Sequence, residues 1–359
     1  MRRAALLLVV AAACTRPAEE RALAELDVGR ASAGGVSIEV AGGLAAIRTL
    51  EPGHVELWAQ APDLAIDLDV DDAAAGALAL VIRNAMPDGV LTGPAAVAIA
   101  PRPGDRPTVR AFDLTVPAGR HPLRFAPPDA DQVARFRVAA MADIQTALPT
   151  VDDLFARISA EPDVRFVVSM GDLTQRSRVS EYDLFERQLE VLDVPYFTTL
   201  GNHELWGPPH RFRDRYGRAS FQFGFKGAAF TFVDSGDAGI DPIVYDWLDE
   251  WLDAARDRVH VFLTHIPPID PIGTRSGSFR SRREGHYLLE RLAAGGVDLT
   301  LYGHIHTFFA FENAGIPAYI SGGGGAIPEK WDGIDRHYLL IDLDPTAGRV
   351  DSVAVSRVP

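Results

Sequence analysis

The sequence predicts a layered α/β domain, with a β-sandwich core flanked by helices, preceded by a small all-β sandwich domain. Three observations carry that expectation. Between residues 35 and 128, short runs of alternating apolar and polar residues are separated by Gly, Pro and Asp, the rhythm of antiparallel sandwich strands. After residue 129 the rhythm changes to apolar strands alternating with amphipathic helices. Polar residues able to bind metal stand directly after those apolar strands, where α/β sheets place their sites.

In the first domain, 35–128, of immunoglobulin or fibronectin type, the runs 36–40, 54–59, 64–70, 77–83, 95–100, 109–116 and 122–125 read as strands. Their side chains alternate with period two, which leaves one face to bury. The domain's two histidines, His54 and His121, lack partners in the sequence and suit surface or packing roles. Pro127, Pro128 and the acidic stretch 129–131 form a linker. In the second domain, 129–359, strands are expected over 136–142, 165–170, 196–200, 259–264 and 299–302, with a hairpin from 221–225 and 228–233. Helices are expected over 151–160, 179–192, 242–255 and 284–294, and from 308 to 355 the pattern returns to strands.

A chain of 359 residues has room for two such domains. With 47% hydrophobic and 23% charged residues it can bury a core, which excludes disorder for the bulk. Its 49 acidic and 35 basic residues give a formal charge of -14, a field that repels phosphate backbones, so no large nucleic acid is expected as a partner. The single cysteine, Cys14, excludes an intramolecular disulfide, a zinc finger and a catalytic cysteine in the body of the protein.

Residues 1–13 read as a signal peptide: Arg2 and Arg3, an apolar run over 4–10, then small residues leading into Cys14. The run is too short for a membrane-spanning helix, which needs about 20 residues. Small residues before the only cysteine resemble a bacterial lipoprotein signal, although Ala11 stands where leucine is commoner. That resemblance implies lipidation of Cys14 and an exported protein, periplasmic or cell-surface, held to the membrane by an N-terminal lipid anchor. Ordinary signal cleavage and an apolar N-terminal helix are the alternatives. Residues 14–34, polar and rich in Ala and Glu, read as a tether with a short helix.

Five strand ends carry the chemistry. They are Asp143-Ile144-Gln145, Gly171-Asp172, Gly201-Asn202-His203-Glu204, His265-Ile266-Pro267-Pro268 and Gly303-His304-Ile305-His306. Singly, each has a plain reading: an aspartate can cap a helix, His265 can be a packed loop histidine, and His304 and His306 can be two exposed residues on one face of an extended segment. Five in order are another matter, because the coincidence would have to recur at every strand end.

Their order and content resemble the calcineurin-like metallophosphoesterase superfamily, whose pattern is D-x-H, G-D, G-N-H-[DE], H and G-H-x-H, over residues 137–355. The resemblance implies two divalent metal ions, with Asp143, Gln145, Asp172 and His306 around one and Asp172, Asn202, His265 and His304 around the other. A mixed oxygen and nitrogen shell suits Mn, Fe or Zn better than Ca or Mg. The implied reaction is hydrolysis of a small-molecule phosphoester by a metal-bridging hydroxide attacking in line at phosphorus. In it Asn202 polarises a phosphoryl oxygen, and His203, beside the metals without ligating them, gives a proton to the leaving alkoxide.

Three departures narrow the class. Gln145 stands where histidine is commoner, Gln175 stands where purple acid phosphatases have their tyrosinate, and the aspartate and arginine of the protein Ser/Thr phosphatase signature are missing after Asp172. A second hypothesis is a non-enzymatic cell-surface binding protein that keeps the fold; the intact His203 and full ligand set speak against it. Of the other histidines, His210 could line the cleft, whereas His260, His286 and His337 suit solvent or core positions. The run 321–325 lacks the Lys-Ser/Thr of a P-loop and reads as a flexible strand-end loop. The arginine-rich stretch 273–283 reads as either a solvated loop or a greeting surface for an anion.

Overall fold

The computed structural model describes residues 17–273, 277–330 and 333–358. The signal peptide, Cys14 and Arg275 lie outside the described residues. No helix among the described residues is long and apolar enough to cross a membrane.

Ten strands build the first domain: β1 (Arg30–Ala33), β2 (Val36–Val40), β3 (Ala45–Glu51), β4 (His54–Ala59), β5 (Leu64–Val70), β6 (Gly76–Arg83), β7 (Val90–Thr92), β8 (Ala98–Arg102), β9 (Val109–Val116) and β10 (Gly119–Ala126). They form two five-stranded sheets in the orders β1-β2-β5-β10-β7 and β3-β4-β6-β9-β8. In β5 the alternation is complete: Leu64, Ile66, Leu68 and Val70 are buried and the residues between them are not. One pairing departs from the antiparallel expectation. β4 and β6 run parallel, because β5 between them belongs to the opposite sheet and returns the chain in the same direction. β1, β3 and β7 escape the sequence reading because they are short or lack period-two alternation.

Eleven strands follow: β11 (Phe136–Met141), β12 (Val164–Ser169), β13 (Tyr196–Thr198), β14 (Phe221–Phe225), β15 (Ala228–Val233), β16 (Val259–Thr264), β17 (Leu299–Tyr302), β18 (Phe308–Asn313), β19 (Ile316–Ser321), β20 (His337–Asp344) and β21 (Arg349–Arg357). One sheet has the order β13-β12-β11-β20-β21, the other β14-β15-β16-β17-β19-β18. The sheets meet through aromatic rings: Phe136 lies 5.1 Å from Phe225 and Phe166 lies 5.3 Å from Phe230, centroid to centroid. Six α-helices lie among the described residues: α1 (Pro17–Glu25), α2 (Asp152–Ala160), α3 (Val179–Gln188), α4 (His210–Tyr216), α5 (Pro242–Ala254) and α6 (Arg282–Ala294). α2 and α3 bury Leu154, Phe155, Ile158 and Phe185 against Met141 and Val167 on one outer face. α5 and α6 bury Leu248, Leu252, Leu288 and Leu292 against Phe262 on the other. Asp241 accepts from the Ile243 N–H and Ser281 from the Glu284 N–H, which caps these two helices at their starts.

The stretch read as a tether is bound down by α1. The buried Arg21 donates to Asp234 and Asp237, and the buried Glu25 accepts from the backbone N–H groups of Ala219 and Ser220. The polar side chains of this stretch make charged contacts to the second domain, and the short helix expected in it is α1. The two domains are also joined by Asn84, whose amide donates to Tyr196 O and accepts from Tyr196 N–H.

Candidate metal centre

Strands β11, β12 and β13 run parallel, as do β15, β16, β17 and β19, so the ends of both sheets open on one edge. Five of these strands, β11, β12, β13, β16 and β17, hand over a polar residue within a few positions of their ends. The turns that do so are tight: Asp143, Gln145, Asp172 and His304 all have positive φ, at 64°, 43°, 57° and 69°. Left-handed backbone at four non-glycine residues costs energy, and its concentration at one site marks a place where geometry is held for a purpose.

The side chains converge. Oxygens of Asp143 and Asp172 and a nitrogen of His265, all buried, lie within 4.8 Å of one another. Asn202 Oδ1 lies 3.1 Å from His265 Nε2 and 2.9 Å from His304 Nδ1. Asp172 Oδ2 lies 3.2 Å from His265 Nε2 and accepts from Gln145 Nε2 at 2.6 Å. His306 Nε2 stands 3.3 Å from Gln145 Nε2 and 3.5 Å from Asp143 Oδ1. Asp143 Oδ1 is buried and has no hydrogen-bond partner. All seven residues singled out as ligands from the sequence are therefore in one cluster, and His203 stands at its rim with Nε2 4.0 Å from Asp172 Oδ2.

The histidines are oriented by backbone carbonyls that no sequence pattern marks. His265 Nδ1 donates to Met170 O, His306 Nδ1 to Ile327 O and His203 Nδ1 to Gln175 O, at 2.7, 2.7 and 2.8 Å. A proton fixed on Nδ1 turns the Nε2 lone pair into the cluster. At His265 that lone pair meets two further acceptors, Asp172 Oδ2 and Asn202 Oδ1, which repel it unless a positive charge lies among them. The donor set of carboxylate, amide oxygen and imidazole, together with the orphaned Asp143 oxygen, fits divalent cations. With a proton as that charge, burial pushes His265 down, but Asp172 outweighs it and lifts the imidazole to about 9. Asp172 is correspondingly held below the usual carboxylate range: burial pushes it up, and His265 beside it more than compensates. Burial, aided by His265, pushes His304 down to about 4 and keeps it neutral.

Three features were missed from the sequence. Glu204 lies buried and accepts from Asp172 N–H, Thr174 N–H, Thr174 Oγ1 and Gly201 N–H, so its carboxylate ties the second strand end to the third. Its place as the acidic residue of Gly-Asn-His-Glu was the available signal. The glycine run is not a flexible loop: Gly324 N–H donates to Ala142 O, Ala326 N–H to Asp143 O, and a Cβ on Gly322 would meet Asp143 Oδ2 at 2.9 Å. Its glycines are needed because this backbone packs against the back of the first strand end. Trp206 is the third, its ring stacked on His203 with centroids 4.3 Å apart. His210 is exposed at the start of α4 and borders a cavity of about 500 Å³ between that helix and α1. His260 is buried in the core against Thr231, and His337 is also buried.

Residues 136–308 match the family model of the calcineurin-like phosphoesterases. No curated protein sequence matches the chain. Among solved structures, the purple acid phosphatase PPD1 from yellow lupin (Lupinus luteus) seeds is similar at 15% identity, covering 82% of this chain and 72% of that one with a TM-score of 0.50. A dimetal phosphatase from Danio rerio is similar at 13% identity, covering 64% of this chain and all of that one, with a TM-score of 0.48. At 82% of this chain the lupin likeness is longer than the α/β domain alone, and it is a likeness of fold. Taken with the cluster of buried ligands, the family match makes residues 136–308 a calcineurin-like phosphoesterase domain.

Proposed function

We propose that the protein hydrolyses small-molecule phosphoesters with two divalent ions of Mn, Fe or Zn. Asp143, Gln145, Asp172 and His306 would hold one ion, and Asp172, Asn202, His265 and His304 the other. The observation that carries this reading is the approach of Asp172 Oδ2 and Asn202 Oδ1 to within 3.2 Å of His265 Nε2, acceptors gathered as only a cation or a captured proton permits. Bound ions of this kind lower the pKa of a water and neutralise phosphoryl oxygens in the transition state. Gln145 presents its nitrogen to Asp172, and turning the amide over brings its oxygen to the same place.

The chain's own groups supply the rest. With Oδ1 turned to His265 and His304, Nδ2 is the end of Asn202 that can donate to a phosphoryl oxygen. His203 keeps one proton on Nδ1 through Gln175 O, which leaves Nε2 to carry the proton that the leaving alkoxide takes. Its backbone N–H donates to Asp172 Oδ1, so the same residue also steadies the shared carboxylate. At position 175 the chain has glutamine, so a tyrosinate-to-iron charge-transfer centre is not part of this reading.

The reading is tested by assaying the purified protein with chromogenic monoesters and diesters against Mn²⁺, Zn²⁺, Fe²⁺ and Mg²⁺. Turnover with at least one pairing is expected, and no turnover with any of them favours a binding protein. We further propose export and lipid anchoring at Cys14, supported by the small residues that lead into the only cysteine. Cys14→Ser should release the protein from the membrane fraction or block its maturation, and unchanged fractionation rejects the anchor.

A further inference from the structure

The proton donor does not stand alone at the rim. Trp206 closes the turn that begins at Asn202, and its indole lies over the His203 ring with centroids 4.3 Å apart and planes within 22°. The two rings differ in exposure: the His203 side chain is 14% exposed, whereas Trp206 is 58% exposed. Part of the indole surface is thus committed to His203 and the remainder is open to solvent. Leaving a tryptophan in water forgoes the largest apolar burial any side chain offers. A second exposed apolar residue stands beside His306. Ile327, 69% exposed, uses its carbonyl to orient His306 and holds its own side chain out.

We infer that Trp206 is a specificity-determining residue whose uncovered indole surface, beside the His203 ring, stacks on an aromatic ring carried by the leaving alcohol of the ester. The inference rests on the proposed role of His203. A group that protonates the leaving oxygen must touch it, so the organic part of the leaving group begins beside the His203 ring and the indole stacked on it. An aromatic ring on that alcohol meets a rigid, flat partner with only two side-chain torsions to fix, a low entropic cost for the apolar area that stacking buries. Stacking on a protein aromatic is sequence-tolerant and general, so the platform accepts either a plain aryl group or a nucleobase. An alkyl leaving group of the same acidity has no ring to stack and forgoes this stabilisation.

The test compares benzyl, nucleoside 5′ and ethyl esters of phosphate, each as monoester and methyl diester, on the metal-loaded full chain. All have alkoxide leaving groups that need a proton, so His203 serves all alike. The wild type should favour the ring-bearing esters in kcat/KM, chiefly through KM. Trp206→Ala should remove that preference, lowering kcat/KM by about 10-fold to 100-fold for ring-bearing esters and by less than about threefold for the ethyl ester. Trp206→Phe should restore most of it. The benzyl and nucleoside arms report which ring the platform takes. Equal losses for ring-bearing and ethyl esters would show that Trp206 only supports His203 and would overturn the inference. No turnover of any ester by the wild type would instead overturn the phosphoesterase reading. The platform is then judged by calorimetric binding of benzylphosphonate against ethylphosphonate: a preference lost in Trp206→Ala sustains it, and equal affinities reject it.

Discussion

Gly201 offers a substitution whose consequence can be worked from the geometry. Its backbone is extended, with φ at -107° and ψ at -176°, so an alanine there is not strained by conformation. The obstacle is space. A Cβ at position 201 would stand 2.1 Å from Asp172 Oδ1 and 2.5 Å from Asp172 N. Ordinary contact begins at 3.4 Å, so the carboxylate must retreat by about 1 Å. Asp172 has little freedom to do so, because Oδ1 accepts from the His203 N–H and the Asp172 N–H is bonded to Glu204. Metal-ligand distances tolerate only about 0.2 Å. Gly201→Ala should therefore lose metal from both proposed sites, which would share Asp172, and lower kcat/KM by at least about 10²-fold, the scale of a 1 Å misplacement. Overpacking of this kind costs about 1 to 3 kcal/mol, a fall in Tm of roughly 2 to 12 °C. Gly296→Ala is the control, since φ is +73° and nothing lies within 4 Å of its Cβ, so it costs stability without touching the site. The assays are metal content by mass spectrometry, thermal melts and steady-state kinetics. Wild-type metal content and turnover in Gly201→Ala would refute the placement of Asp172 at the centre.

Three more expectations follow from the same structure. His203→Ala keeps the backbone N–H that bonds Asp172, so metal content should stay near wild type while turnover falls by about 10² to 10⁴; the loss should shrink for nitrophenolate, which leaves without a proton, and loss of both metals would show that His203 is misplaced. Gln145→His replaces a neutral oxygen donor by imidazole and should strengthen Zn²⁺ retention at the first site alone, read by stepwise metal titration, with unchanged affinities at both sites removing Gln145 from the ligand set. Burial, reinforced by Asp234, pushes the Glu25 carboxyl from 4.5 up to about 8 against its two backbone donors and Arg218. Its proton is held in the folded state and released in the unfolded one across that window, so stability present below pH 4.5 is lost as pH rises toward 8; Glu25→Gln should flatten the fall in Tm between pH 5 and 8, and an identical slope in both proteins would contradict the shift.

Much of the fold and of the site's membership was legible because both depend on short-range pattern. Strands such as β5 and β16 announce themselves by alternation or by an unbroken apolar run, and a polar residue right after such a run has few places to go. What stayed hidden depends on pairings distant in the chain. The carbonyls that orient His265 and His306 come from Met170 and Ile327, and a backbone acceptor has the same chemistry whatever its side chain. Glu204 looked like one motif position, yet it accepts from four donors on two strand ends. The glycine run was read as flexible because glycine serves loops and close packing equally, and only the third dimension shows Asp143 against it. Arg21 and Glu25 lie in the stretch that reads as a tether, and their partners, Asp234 and the Ala219 and Ser220 amides, are 194 to 213 positions away in the chain.

The most direct measurement is a titration of metal-stripped protein with Mn²⁺ or Zn²⁺, following bound metal per chain and phosphoester turnover in the same samples, with Asp172→Asn alongside. Turnover should rise with the second ion bound per chain and be absent in Asp172→Asn, which keeps one oxygen but loses the charge that two ions would share. Two ions bound with no turnover of any monoester, diester or pyrophosphate-linked substrate, or full turnover in Asp172→Asn, would contradict a two-ion phosphoester hydrolase.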